Sequence, residues 1–391
     1  MTGRSTDLIH HPYEPPAGFA APQVAVHKAS TVIFPSVAAL RARDWRQKTG
    51  YTYGLHGTPT TFQLEERLAA LEGGKHCLLV PSGLASITHV CLALLGTGDE
   101  VLVPDNVYGP TKAFAEGDLA RFGITHQRYD PMDPRDLAER LSPRTRLMWI
   151  EPPGSVTMEF PPAQQLARLC RDRGVLVALD NTWGAGLAFN GFEAGADVVV
   201  QALTKYPSGG GDVLMGSIVT RDDALHERLK LAHMRLGWGV GGNDAEAVLR
   251  SLPSLQLRYK AQDHAARILA HWLHGRPEVA QVLHPALEGS PGHEHWKALC
   301  GDRGQAAGLF SIVLHERFAP GQVDRFCEAL RLFKLGYSWG GPVSLVVPYD
   351  IASMRRPGSW PHRGVLVRFS VGLEDPADLH ADLDQALRQL Q

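Results

Sequence analysis

From about residue 56 to 240 the chain alternates short apolar runs with helical stretches, and this rhythm restricts the fold more than any other feature. The runs CLLV (77–80), VLV (101–103), LMWIE (147–151), VLVALD (175–180) and DVVVQAL (197–203) are apolar at successive positions. Both faces of such strands need covering, which fits the interior of a mostly parallel sheet shielded by crossover helices. The stretches TFQLEERLAALEGG (61–74) and AQQLARLCRDRG (163–174) end in glycine, a common helix C-cap. The expected fold class is therefore α/β, with a large, doubly wound, mostly parallel sheet and right-handed crossovers.

The flanks read differently. Residues 1–55 carry Pro12, Pro15, Pro16, Pro22 and Pro35, which block long helices. They predict an extended arm packed on another surface, with one short helix near Val37–Gln47. Residues 56–243 form the large domain. From 244, DAEAVLRSLPSLQLRYKAQDHAARILAHWLHG reads as helix interrupted at Pro253. LFSIVLHE (309–316), LVVP (345–348) and VLVRFSV (365–371) then read as strands of a smaller α+β domain, 244–391.

Composition removes several functions. Lys+Arg is 39 against 41 Asp+Glu, a balance unlike a broadly basic nucleic-acid surface. No apolar run approaches the ~18 residues of a bilayer span, and the N-terminus lacks a signal-peptide apolar region. The five cysteines are scattered and form no CxxC pair. A reduced, cytoplasmic protein with neither nucleic-acid nor membrane partner is expected. His293-Glu294-His295 lacks the i,i+4 spacing of helical metal ligands, so a solvated loop and no metal site are expected there. No Gly-x-Ser-x-Gly nucleophile elbow occurs.

Three strand ends carry the chemistry, because ligands in open parallel sheets bind beyond the carboxyl ends of the strands. In VPSGLASITHV (80–90), Ser82, Gly83 and Leu84 open a helix whose N–H groups can hold an anion. In VLVALDNTW (175–183), Asp180 ends an apolar strand, where a carboxylate needs a cation or several donors. In DVVVQALTKYPSGGGDVLMG (197–216), Lys205 follows a buried strand; the other eight lysines sit mostly in stretches that read as exposed. Each has a plainer reading: an N-cap serine, a carboxylate for a ribose, metal or loop amide, a surface lysine with a buried stem. Together they match pyridoxal 5'-phosphate: an anion cradle for the phosphate, a carboxylate for the pyridine nitrogen, an amine for the aldehyde.

The chain resembles the Cys/Met-metabolism family of pyridoxal-phosphate enzymes, of the aspartate-aminotransferase-like fold (fold type I), and within it the bacterial cystathionine β-lyases. The resemblance runs from YTYGLHGTPTT (51–61) to VRFSVGLEDPADL (367–379) through PSGLASI (81–87), NVYGP (106–110), EPPGSVTME (151–159), LDNTW (179–183), QALTKYPSGGGD (201–212) and YSWGG (337–341). It implies that Lys205 forms the Schiff base and moves the Cα proton. Asp180 would pair with the ring nitrogen, and Tyr108 would stack on the ring. Ser82, Gly83, Leu84 and Thr204 would hold the phosphate. Tyr53 would reach the site of a neighbouring subunit, which implies at least a homodimer, with a homotetramer as the family pattern. Arg368 would pair with the substrate carboxylate, and Ser338 and Trp339 would line its pocket.

The implied reaction is α,β-elimination from a small sulfur amino acid: cystathionine would give homocysteine, pyruvate and ammonia. Three positions depart from the family pattern. Leu55, followed by His56, stands where relatives often carry a phosphate-binding Arg; Ala202 replaces a common Ser; Val343 replaces a frequent Glu. γ-Elimination or γ-replacement on the same scaffold is the alternative, disfavoured by EPPGSVTME and by Trp339. A nucleotide-binding reading of WGAGLAF (183–189) lacks the third glycine. A non-catalytic cofactor-binding protein is disfavoured by the presence of Lys205.

Overall fold

The computed structural model describes residues 3–46, 48–301 and 304–390. Among these, the large domain is built on seven strands: β1 (His76–Val80), β2 (Glu100–Pro104), β3 (Thr125–Tyr129), β4 (Thr145–Ile150), β5 (Leu176–Asp180), β6 (Val198–Ala202) and β7 (Gly216–Thr220). They lie in the order β1-β7-β6-β5-β4-β2-β3. The ladders are parallel except where β7 inserts antiparallel between β1 and β6. All five strands expected from apolar runs are present, and the central ones are buried along nearly their whole length.

Two strands here escaped the sequence reading. β3 (THQRY) is an edge strand, half exposed and polar, so it carries no apolar run. β7 (GSIVT) begins at Gly216, where a Cβ would lie 2.3 Å from the Ser82 carbonyl oxygen. That close backbone approach brings β7 beside β1 at the site end of the sheet and explains the glycine.

The smaller domain holds a sheet ordered β10-β11-β12-β9-β8, formed by β8 (Val279–Leu283), β9 (Leu309–Leu314), β10 (Lys334–Leu335), β11 (Leu345–Tyr349) and β12 (Leu366–Ser370). β9, β11 and β12 coincide with the expected runs; β8 and the two-residue β10 were not anticipated. A 3-10 turn over Leu252–Ser254 links helices Gly242–Ser251 and Leu255–His274, so the break at Pro253 is real. The sheet packs against Leu255–His274 and Pro376–Leu387, burying Leu269, Phe310, Phe326, Phe369 and Leu383.

The arm is less detached than expected. A helix over Arg4–Ile9, which the proline pattern did not suggest, buries Leu8 in the chain's own core, and the Ser5 hydroxyl donates to Gln256 Oε1 at 2.5 Å. Val24 is buried too, whereas Phe19 and Ile33 are exposed. The second helix covers only Val37–Arg41, and Gln47 lies outside the described residues.

Two further expectations are corrected. His293-Glu294-His295 opens a helix, His293–Cys300, instead of forming a loop: His293 stacks on Trp296 and its Nδ1 lies 2.9 Å from the Pro285 carbonyl. Among the described residues no group of three or more His, Cys, Asp or Glu could hold a metal. Lys230, read as exposed, is buried and donates to the Arg46 carbonyl at 2.9 Å. WGAGLAF forms turns after β5, not the helix a dinucleotide site requires. No helix among the described residues is long and apolar enough to cross a membrane.

Candidate active site

The carboxyl ends of β1, β5 and β6 open onto a cavity of ≈ 470 Å³ between the two domains. At the end of β1, Ser82 caps the helix Gly83–Leu94 and its Oγ accepts from the Ala85 N–H at 3.0 Å. This is the ordinary cap role, and it leaves the first-turn N–H groups of Gly83 and Leu84 directed to the cavity they line. A Cβ on Gly83 would sit 2.4 Å from the Ala202 Cβ. The small residue at 202 thus packs directly under the cradle, a physical reason for one of the three departures.

Asp180 ends β5. Its Oδ1 accepts from the Thr182 N–H at 2.9 Å and from the Thr182 hydroxyl at 2.5 Å. Thr182 Oγ1 in turn accepts from the Ala202 N–H at 2.9 Å, tying Asp180 to the end of β6. Burial outweighs these donors and holds the Asp180 carboxyl above the usual aspartate range, with Lys205 opposing the shift. Three residues beyond β6, the Lys205 Nζ donates to Ser338 Oγ at 2.6 Å and sits 5.4 Å from the Trp339 ring centroid. Burial, then repulsion from Arg368, pulls the Lys205 amine down to about 8, against the pull of Asp180. Thr204 Oγ1 accepts from the Met215 N–H at 3.2 Å.

The opposite wall comes from the smaller domain. Arg368, in the middle of β12, is 7% exposed. One of its Nη groups donates to the Ser338 carbonyl at 3.3 Å, its guanidinium lies 5.4 Å from the Tyr349 centroid, and its buried Nε has no hydrogen-bond partner. A buried guanidinium with a free N–H facing a cavity suits a carboxylate. Ser338 adopts φ 84°, which turns its hydroxyl to Lys205 and its carbonyl to Arg368. Gly340, at φ 77°, leaves room for the Tyr206 backbone, 2.9 Å from where a Cβ would stand.

Of the residues proposed from sequence, Ser82, Gly83, Leu84, Tyr108, Asp180, Thr204, Lys205, Ser338, Trp339 and Arg368 all line this cavity. Tyr53 does not. It is half exposed at the N-cap of the 3-10 turn Gly54–His56, with its ring edge-on to His56 at 5.8 Å. Leu55 faces a separate small cavity with Trp45, Lys230 and Trp238. His56 is a poor substitute cation: burial, then Lys230, Arg43 and His233, hold its ring below the usual histidine range.

Two site features were missed. Glu151 follows β4 directly, accepts from the Tyr108 N–H at 2.8 Å and from the Ser155 hydroxyl at 2.6 Å, and lines the cavity. Burial, then Asp180, pushes it up to about 8. It bears the same mark that singled out Asp180, a carboxylate at the end of an apolar run. The second is a buried ion network in which Arg355 Nε donates to Asp105 Oδ2 and its Nη1 to Glu159 Oε2, each at 2.8 Å. It fastens the 350–363 loop to the segments carrying Tyr108 and Met158. Arg355 sits in a polar loop with nothing local to mark it.

A cradle that excludes a Cβ, two buried carboxylates short of positive charge, a depressed lysine and a part-free arginine fit a phosphorylated pyridine aldehyde and an amino acid. The comparisons agree. The pattern of the family described as "Cys/Met metabolism PLP-dependent enzyme" matches residues 5–388. The chain is 39% identical over 388 residues to the cystathionine beta-lyase of Bordetella avium, covering 97% of this chain and 96% of that one. It is 34% identical to cystathionine beta-lyase MetC of Escherichia coli K12 (93% of each chain) and 34% identical to L-methionine gamma-lyase of Pseudomonas putida (99% and 98%). The crystal structure of metB from Corynebacterium glutamicum superposes with a TM-score of 0.89 at 28% identity, covering 100% of this chain and 99% of that one. Fold, site and sequence converge: the chain belongs to the Cys/Met-metabolism family of pyridoxal-phosphate-dependent enzymes, with the fold type I architecture.

Proposed function

We propose that the protein is a carbon–sulfur β-lyase acting on cystathionine and related cysteine S-conjugates. The observation that carries this reading is the meeting of Lys205, Asp180 and Arg368 on one cavity. The relatives named cystathionine beta-lyase supply the reaction class.

When bound, pyridoxal phosphate supplies an electron sink for the carbanion formed at the substrate Cα. The residues act around it. The N–H groups of Gly83 and Leu84, with Ser82 and Thr204, hold the phosphate at the helix N-terminus. Asp180 holds a proton on the ring nitrogen, and Tyr108 covers the ring face. Arg368 binds the substrate carboxylate and so orients the Cα–H bond toward Lys205. Lys205, released by the incoming amine, takes the Cα proton; a pKa of about 8 suits a base working near neutrality. The β-carbon–sulfur bond then breaks, the electron pair leaves with sulfur, and the thiolate takes up a proton. The released enamine tautomerises and consumes one water to give pyruvate and ammonia.

Tyr53 serves the adjacent subunit's cavity, so the active unit is at least a homodimer, with a homotetramer as the full assembly and the cytoplasm as its compartment. Its exposure outside the chain's own cavity supports this. γ-Elimination is the second reading, kept because of the L-methionine gamma-lyase relative. Incubation with cystathionine separates them: β-cleavage yields pyruvate and γ-cleavage 2-oxobutyrate.

A further inference from the structure

Behind the cavity, on the far face of the sheet, stands a carboxylate that neither the cradle nor the substrate wall uses. Glu72 ends the helix Pro59–Glu72 and is 1% exposed. Its Oε2 accepts from Asn181 Nδ2 at 2.9 Å, and its Oε1 accepts from Gln201 Nε2. Asn181 directly follows Asp180 on β5, and Gln201 precedes Lys205 by four residues on β6. Asn181 and Gln201 are themselves buried.

We infer that Glu72 is a positioning residue that clamps the ends of β5 and β6, and thereby fixes the distance between Asp180 and Lys205. Only a carboxylate can do this with two amide donors, because it offers two acceptor oxygens. The backbone alone is a weaker tie there: the parallel ladder between β5 and β6 reaches only Asp180 opposite Val200, after which the strands diverge. Beyond that point the cross-links are the Asn181 N–H to the Val200 carbonyl, the Ala202 N–H to Thr182, and the Glu72 clamp. Glu72 faces no cation within the clamp. Burial, with Asp180 adding repulsion, pushes it up to about 7, and the two amides and Arg4 on the N-terminal helix oppose this. An aliphatic residue would fill the space without desolvating a carboxylate, so the cost of burying Glu72 points to a demand for its geometry.

The test uses the holoenzyme and rests on the cofactor reading above. Glu72→Gln presents one oxygen and one N–H₂ group to two N–H₂ donors, so one contact is lost. We expect kcat to fall about tenfold with KM changed less than about twofold. The pH midpoint of the bound cofactor's visible absorbance should fall by about half a unit, as a negative charge is removed from behind the site. The exchange Glu72→Gln with Gln201→Glu rebuilds both contacts with the polarity reversed and should restore kcat and midpoint. Gln201→Met, which cuts the clamp from the other side, should lower kcat in the same way and serves if Glu72→Gln fails to fold. Parental kcat and midpoint in the folded single variants, or no recovery in the exchange, would overturn the inference. If the parent itself shows no lysine-dependent absorbance, the cofactor reading fails instead.

Discussion

The Lys205 Nζ lies 2.6 Å from the Ser338 hydroxyl, a contact that joins the end of β6 in the large domain to the YSWGG loop of the smaller one. The same serine's carbonyl accepts from Arg368. One residue with positive φ therefore fixes the reactive amine and the carboxylate-binding guanidinium relative to each other.

That proximity makes Arg368 a regulator of the lysine as well as a substrate anchor. In cofactor-free protein, acylation of Lys205 should titrate near pH 8. Arg368→Gln should raise that midpoint, because a repelling cation is lost. The same change should raise KM for amino acids at least about 100-fold. A midpoint unchanged in Arg368→Gln would leave burial alone to explain the depressed amine. Because the folded pKa lies below that of a free lysine, stability should rise with pH between about 8 and the ordinary lysine pKa of about 10.4.

The Arg355 network should dominate the fastening of the 350–363 loop. Arg355→Leu leaves Asp105 and Glu159 buried without their cation, at a cost of about 3–5 kcal/mol. Urea unfolding should show this as a lower midpoint. The Arg355 bond, with the Arg356 N–H and the Ser359 hydroxyl, holds the Asp105 carboxyl below the usual aspartate range against its burial. Its contribution is therefore present above the ordinary aspartate pKa of about 3.9 and disappears as pH falls through the lower folded value. The difference between parent and variant should be constant from pH 7 to about 5 and shrink only in stronger acid.

Gly83→Ala should weaken cofactor binding at least about tenfold, measured by equilibrium dialysis, since the new methyl would meet Ala202 at 2.4 Å. Adding Ala202→Gly should recover most of the loss. Failure of that rescue would place the requirement for glycine elsewhere than in its approach to residue 202.

If Tyr53 completes the neighbouring site, Tyr53→Phe and Lys205→Ala homo-oligomers should each be nearly inactive. Unfolding and refolding a one-to-one mixture should restore roughly a quarter of parental activity per protein chain, because random pairing gives half heterodimers with one intact site each. No recovery on mixing would place the Tyr53 role within its own chain.

The sequence made the sheet legible wherever strands are buried on both faces, because apolar runs such as CLLV and VLVALD have no other stable environment. β3 and β10 escaped for the opposite reason: they are edge strands with polar or exposed side chains. Lys205 and Asp180 were readable because a charge at the end of an apolar strand is anomalous in itself. Glu72 and Arg355 were not, since each looks like an ordinary polar residue until the chain folds and buries it. The arm was misjudged in part because proline content excludes long helices but says nothing of the one-and-a-half turns at Arg4–Ile9.

The central claim is tested most directly by one assay: purified protein incubated with cystathionine, with the keto acid identified and Lys205→Ala as control. The account predicts pyruvate in amounts equal to homocysteine, and no turnover and no lysine-linked cofactor absorbance in Lys205→Ala. Formation of 2-oxobutyrate as the main product, or turnover retained without Lys205, would contradict it.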